Sequence, residues 1–531
     1  MHHISKRASA LTASAAALAL ILSGCSAGGS GGGQQASANK TLVVDNTFDL
    51  KTSDPARAFE LTGSIVDKAL YETALTFEGS DVTKPVPQLT TYSMSDDDKT
   101  ITLTLDGKHV FSSGNPVTID DIVWSYKRVQ GIAGNPSFLL SNLSTGKPFT
   151  IEKTSDTTMT ISDTVANPAL PYILPNPSLG VLDSKTLEEN GGTTDKDDKA
   201  ESYLNGKSAG SGPYQLSSYN ATSKVVFVKN PEYTGTAPKY GRVVLQNVTG
   251  PSQKTDVQGG QAQLALNLNS QQVNGLESGS IKVAKTTSAN VGYLWLNQNE
   301  QVSGGVTNDP DFVKAVRHAI DYEALRTVAG SGSTQPGGIV PSQFLGALES
   351  DENNTTDAAA AKSDLASSGY AEQTVTLSYP TDATLDGVSF ADMAQSVQSN
   401  LQDAGITVKL NGLPIATLLD SFRAGKLQAG LMYWGPDFPD PSDYLTFSPG
   451  EGLGLRAGWT ESMSPEVTKA KEAAIAAEGD ARAAAYQAWQ KASNADGAFV
   501  PLVQAARYAV TNGVTGVTPN AIWTVDLASI E

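Results

Sequence analysis

The residues that most often carry chemistry are scarce in this chain. There is one cysteine, Cys25, and of four histidines His2 and His3 stand at the extreme N-terminus, leaving His109 and His318 for a folded body. A zinc site of His and Cys ligands is therefore nearly excluded, as are a Cys–His nucleophile pair and an intrachain disulfide. Gly206-Lys207-Ser208-Ala209-Gly210 matches a G-x-S-x-G string. Such a serine is a nucleophile only on a turn that comes after a strand and opens a helix. Here a polar loop precedes it and Gly212-Pro213 breaks any helix after it, so chance is the better explanation. No Gly-Lys-Ser/Thr phosphate loop and no D-x-[DN]-x-[DN]-G calcium loop occurs. Many acids are available for an acid–base dyad, but no spacing singles out a pair. The expectation is a protein without catalytic residues, metal or cofactor.

The 531 residues exceed one ordinary core, so two or three lobes are expected. Apolar residues at 39% and charged residues at 17% are those of a globular chain. The formal charge is −18, which repels phosphate backbones and argues against nucleic acid as a partner.

Residues 1–24 read as a signal peptide: Lys6 and Arg7 give a positive start, and Ala8 to Leu22 form an apolar stretch too short for a comfortable membrane span. The stretch ends in Leu22-Ser23-Gly24-Cys25, which looks like a bacterial lipobox, with Cys25 lipidated. The bland alternative is a plain secretory signal with an incidental cysteine. Ser26 to Asn39 contain only Ser, Ala, Gly, Gln and Asn. Such a tether spans roughly 20 Å on average. The body is then expected at the outer face of the cytoplasmic membrane, held by a lipid.

Behind these residues lies an alternation of strand and helix patterns. Thr41-Leu42-Val43-Val44 opens the fold as a strand, and Ile65 to Leu75 has helical spacing. Asp96 to Lys99 is a turn, Ile101 to Leu105 alternates as a strand, and Asp106-Gly107 is a hairpin signal. Thr118 caps a helix through Val123, Trp124 and Tyr126. Further strands are expected at 225–228, 243–248, 293–296, 375–379 and 406–410. Helices are expected at 311–327, 358–367, 392–404 and 467–492, with Arg317 and Asp321 spaced to pair. This order indicates an α/β body.

Several longer blocks succeed one another along the chain. They include Tyr71-Glu72, Pro87-Gln88-Leu89, Phe111-Ser112-Ser113-Gly114-Asn115-Pro116-Val117-Thr118, Gly210-Ser211-Gly212-Pro213-Tyr214 and Lys229-Asn230-Pro231-Glu232-Tyr233. Val316-Arg317-His318-Ala319-Ile320-Asp321 comes next, and Trp434-Gly435-Pro436-Asp437-Phe438-Pro439-Asp440-Pro441 is last. In this order they resemble the peptide/nickel-type extracytoplasmic solute-binding proteins, the oligopeptide- and dipeptide-binding proteins of ABC importers, over roughly residues 41 to 520. The resemblance implies a multi-lobe periplasmic-binding-protein-like α/β fold with a hinge and a central ligand cleft. The expected parts are lobe I at 40–71, lobe II at 72–207, lobe I again at 208–289, lobe III at 290–499, and a return to lobe I at 500–531. It implies a monomer that captures a peptide and delivers it to a permease. The alternatives are a sugar, an opine or a metal chelate as cargo, a peptide sensor or chaperone, and an envelope hydrolase.

In peptide-binding members an aspartate three residues after the aromatic of the last block meets the peptide ammonium. That position is Asp437, and an enclosed ammonium needs an anion beside it. A solvated loop aspartate in a proline-stiffened loop is the bland alternative. Asp440 is the rival. Trp434, Tyr433 and Trp295 are candidate apolar walls, with core packing the competing role.

Overall fold

The computed structural model describes residues 40–531 except Ser144 and Thr524. The signal peptide, Cys25 and the tether lie outside the described residues.

The fold is mixed α/β. Its largest element is a ten-stranded sheet. Strand Thr41–Asn46 is rich in β-branched and apolar residues and lies between two parallel neighbours, Arg242–Asn247 and Leu264–Ala265. Outward from Arg242–Asn247, the antiparallel strands Lys224–Lys229 and Tyr214–Asn220 complete one wing. The other wing holds Ala429–Trp434, Val375–Pro380 and Val408–Leu413. Two long antiparallel strands, Ile281–Leu296 and Phe499–Asn512, run between the wings, pairing Ile281 with Asn512 at one end and Trp295 with Phe499 at the other. Their register shifts between Thr287 and Val291. Such irregularities bend a ribbon and re-aim side chains. This one sets Asn290 into the cleft.

Each wing has its own core. Leu42, Val44, Ile65, Val66, Leu70 and Phe227 belong to the first. A separate sheet, in which Thr100–Leu105 pairs with Thr90–Met94 and Thr158–Ser162, packs on a second core with Phe111, Ile122 and Tyr126. Two further cores flank the far wing, one around Phe312, Leu377 and Val397 and one around Trp295, Phe447 and Trp489. Leu182, Leu187, Ala200 and Leu204, counted with lobe II on sequence, pack into the first core.

Helix α1 (Leu61–Leu70) begins and ends earlier than its periodicity suggests, and buries Ile65, Val66, Ala69 and Leu70. Helix α2 (Ile119–Ile132) starts at the expected Thr118, whose hydroxyl accepts from the Asp121 amide while the Asp121 carboxylate accepts from the Thr118 amide. The chain crosses between the first and second cores after Tyr71-Glu72 and again at Val181-Leu182, and the Gly210–Gly212 segment packs against the first of these crossings. There the Gly212 amide donates to Leu70 O at 3.1 Å and the Val181 amide to Glu72 O at 2.9 Å. A Cβ on Gly210 would lie 2.2 Å from Leu70 O, so this close approach of two segments demands glycine.

Four expectations are corrected. The helix expected over 311–327 is two, Pro310–Ala319 and Tyr322–Ala329, because Asp321 leaves helical geometry to cap the second through the Ala324 amide. Arg317 therefore does not pair with Asp321. It is buried and donates to Asn354 and to the carbonyls of Gly497 and Phe499. The helix expected over 467–492 is likewise two, Pro465–Ala476 and Ala481–Asp496, separated by a turn in which Gly479 has φ +52°. Asp106-Gly107 turns the chain but makes no hairpin. The hairpin turn is Asp96 to Lys99, which joins Thr90–Met94 to Thr100–Leu105.

Candidate ligand cleft

Trp434 ends the strand Ala429–Trp434, directly opposite Val291. The chain then leaves the sheet through Gly435, where a Cβ would stand 2.5 Å from Asn290 Oδ1, and enters the proline-stiffened turn. Phe438 inserts into the second core, although the strand before it belongs to the far wing. The Asn176 side chain, on the second lobe, donates to Asp437 O at 2.9 Å. The block thus links the far wing to the second core and holds Asp437 between them.

Asp437 lines two adjoining cavities. One, of about 200 Å³, is bounded by Phe59, Leu61, Asn176, Asn290, Tyr433 and Trp523. The other, of about 180 Å³, lies among Trp434, Ser442, Asp443, Leu445 and Thr446. By this measure a single water needs only about 10–15 Å³, so each cavity has room for part of an organic ligand.

The Asp437 amide donates to Asp443 Oδ2 at 2.9 Å, while Asp443 Oδ1 has no hydrogen-bond partner among the described residues. Burial pushes the Asp437 carboxyl up to about 7. Burial, reinforced by the neighbouring Asp437 charge, also holds Asp443 well above the usual carboxylate range. Two carboxyl groups this close in a poorly solvated place share protons until a cation arrives. Glu60 and Glu451 line the same cavities but already face Lys51 at 2.7 Å and Lys471 at 2.8 Å.

The other residues singled out on sequence take different places. Tyr433 lines the first cavity and stacks on Phe390 with centroids 6.2 Å apart. Trp434 lines the second, packs edge-on against Phe447 and has an Nε1 without a partner among the described residues. Trp295 has no exposed surface. It fills the core over Gly430 and packs 4.4 Å from Phe422. Asp440 is 2% exposed and receives both terminal nitrogens of Arg482, at 3.0 and 2.8 Å. That fork uses the carboxylate in an internal ion pair. Asn176, Asn290, Asp443 and Trp523 were not singled out on sequence. Asp443 alone carried a local signal, as the next acid after the Pro-rich block.

Ser208 comes after the short helix Glu201–Leu204 and precedes the strand Tyr214–Asn220, the reverse of the order a nucleophile turn needs. Its hydroxyl accepts from the Leu216 amide at 3.3 Å. His109 and His318 sit 2.9 and 2.8 Å from Glu72 and Asp364. Among the described residues, no group of three or more His, Cys, Asp or Glu is placed to hold a metal ion. No described helix is long and apolar enough to cross a membrane.

Separate cores around an internal cleft are the arrangement of a ligand-binding protein. The chain belongs to the bacterial extracellular solute-binding proteins, family 5, whose description for the middle portion matches residues 84–452. It is similar to a probable D,D-dipeptide-binding periplasmic protein of Escherichia coli (strain K12), with 27% identity over 483 residues, covering 87% of this chain and 88% of that one. Among solved structures, an ABC transporter substrate-binding protein of Listeria monocytogenes matches with a TM-score of 0.81 and 17% identity, covering 93% of this chain and 99% of that one. A periplasmic binding protein of Helicobacter pylori in complex with the peptide STSA matches with a TM-score of 0.75 and 20% identity, covering 93% and 98%. These structural likenesses establish the fold. The family is one of solute-binding proteins of ABC importers and not an enzyme family.

Proposed function

We propose that this protein captures peptides with a free amino terminus outside the cytoplasmic membrane and delivers them to an ABC permease without cleaving them. The observation that carries the reading is the carboxyl pair Asp437–Asp443 in the cleft, the lining acids that no basic side chain neutralises. A ligand ammonium placed between them removes the cost of enclosing that negative charge. Tyr433 and Trp434 supply apolar walls, and the peptide backbone gives affinity without demanding one side-chain type. The relatives named for di- and tripeptide binding, and the neighbour solved with STSA, support this cargo. The protein works as a monomer, anchored through a lipid on Cys25, with the 26–39 segment as its tether.

The reading is tested by native mass spectrometry of the purified protein, together with calorimetry on a panel of di- and tripeptides of L and D stereochemistry. A co-purified peptide, or micromolar or tighter binding of panel members, is expected. A co-purified sugar, opine or metal chelate, with no peptide bound, would overturn it.

A further inference from the structure

The cleft continues past the two cavities that meet at Asp437. Ser64 and Trp523 line the first of them and also a third cavity, of about 140 Å³, bounded by Lys68, Phe77, Pro177 and Asn520. Helix α1 forms the floor of this route. Leu61, Ser64 and Lys68 fall on one helical face, with Leu61 and Ser64 in the first cavity and Ser64 and Lys68 in the third. From Leu61 to Lys68 the helix advances about 10 Å, comparable to the length of three extended residues.

A fourth cavity shares Leu143 and Ser442 with the second and carries Arg482. Lys68 and Arg482 are the basic side chains that line the four cavities. Arg482 is occupied by Asp440. Lys68 donates to Thr76 Oγ1 at 2.7 Å, a neutral partner that fixes the ammonium and leaves two of its protons free. Among the described residues no carboxylate stands within ion-pair distance of it. The acid that shares its cavity, Asp526, accepts the Ala528 amide as the cap of the last helical turn.

We propose that Lys68 receives the C-terminal carboxylate of the bound peptide. The cleft then has unneutralised acid at Asp437 and Asp443 and, at Lys68, a base without an ion-pair partner among the described residues, which matches a zwitterionic chain laid along α1. This rests on the peptide reading above and adds the ligand's direction and its second charged end.

Calorimetry with trialanine, trialanine amide and N-acetyl-trialanine, on wild type, Lys68→Met and Lys68→Arg, separates the two ends. Lys68→Met keeps the aliphatic stem and removes the charge. Amidation should weaken binding to wild type by about 10- to 100-fold. Lys68→Met should lose a similar factor for trialanine and little more for the amide, while Lys68→Arg retains most of the affinity. Equal melting temperatures of the unliganded proteins show that the fold is intact. Equal affinity of wild type for trialanine and its amide, or equal losses for both on Lys68→Met, would overturn the assignment. If acetylation still abolishes binding in that case, the amino-terminal reading stands and only Lys68 fails. If no peptide binds, both fail together.

Discussion

Asn176 Nδ2 donates to Asp437 O at 2.9 Å, so a side chain from beside the second core holds the backbone of a residue that lines the cleft. The bond joins positions 261 residues apart in sequence. On the proposed function, ligand capture and the contact between the two parts of the fold would depend on the same short turn.

Asn176→Ala should shift the lobes toward an open arrangement. One neutral hydrogen bond contributes about 0.5–1.5 kcal/mol, so peptide affinity should fall roughly two- to tenfold. Small-angle scattering should show a larger radius of gyration without ligand, returning toward wild type at saturation. An unchanged radius and affinity would show that this contact does not hold the lobes. Asn176 also caps its own 3-10 turn through the Ser178 amide, so the melting temperature must be measured beside the affinity.

Asp437 should make binding depend on pH. Its carboxyl is raised from 3.8 to about 7 by burial. Between those values the unfolded chain has released its proton while the folded, unliganded protein keeps it. Stability without ligand should thus fall as pH rises through this window, by at most about 1.4 kcal/mol per pH unit. A bound ammonium prefers the ionised carboxyl, so the effect on affinity has the opposite sign. Affinity for a free-amine peptide should drop by up to about tenfold per unit as pH falls from 7 to 5. Calorimetry in buffers of different ionisation enthalpy should show up to about one proton released per peptide. Constant affinity over that range would contradict the role of the pair.

Arg482 and Asp440 make a different prediction, because their pair is internal. Arg482→Leu leaves a buried carboxylate alone and should cost about 3–5 kcal/mol in denaturant unfolding. The double variant with Asp440→Leu should recover much of that loss. Preference for a free amino terminus should survive in the double variant. If that preference vanishes, Asp440 is the ligand's partner after all.

Replacing Cys25 with Ala should release the mature protein from membranes into soluble fractions, since its anchor would be gone while the tether and body remain. Retention on membranes to the wild-type degree would contradict lipid anchoring at this residue.

Much of the fold was legible because its signals are local. The Thr118–Asp121 capping box and the alternation over Thr100–Leu105 each arise from residue type and spacing. Helix breaks were harder to see: Asp321 interrupts a continuous apolar pattern only because capping the next helix competes with continuing the first. The cleft was legible at one point, the Trp434–Pro441 block. Nothing local distinguished Trp295, enclosed in the core, from Trp523, which borders the cleft. Nor did the sequence show that Asp440 would meet Arg482 while Asp437, three residues earlier, would not, since Arg482 arrives from a helix 42 residues away.

The most direct test is a calorimetric cycle with wild type and Asp437→Asn, each titrated with trialanine and with N-acetyl-trialanine. Removing one member of an enclosed charge pair costs about 2–5 kcal/mol, a loss of roughly thirty- to several-thousand-fold. The free peptide should suffer that loss on mutation. The acetylated peptide should already bind poorly to wild type and lose little more. Equal losses for both peptides would mean that Asp437 does not hold the amino terminus.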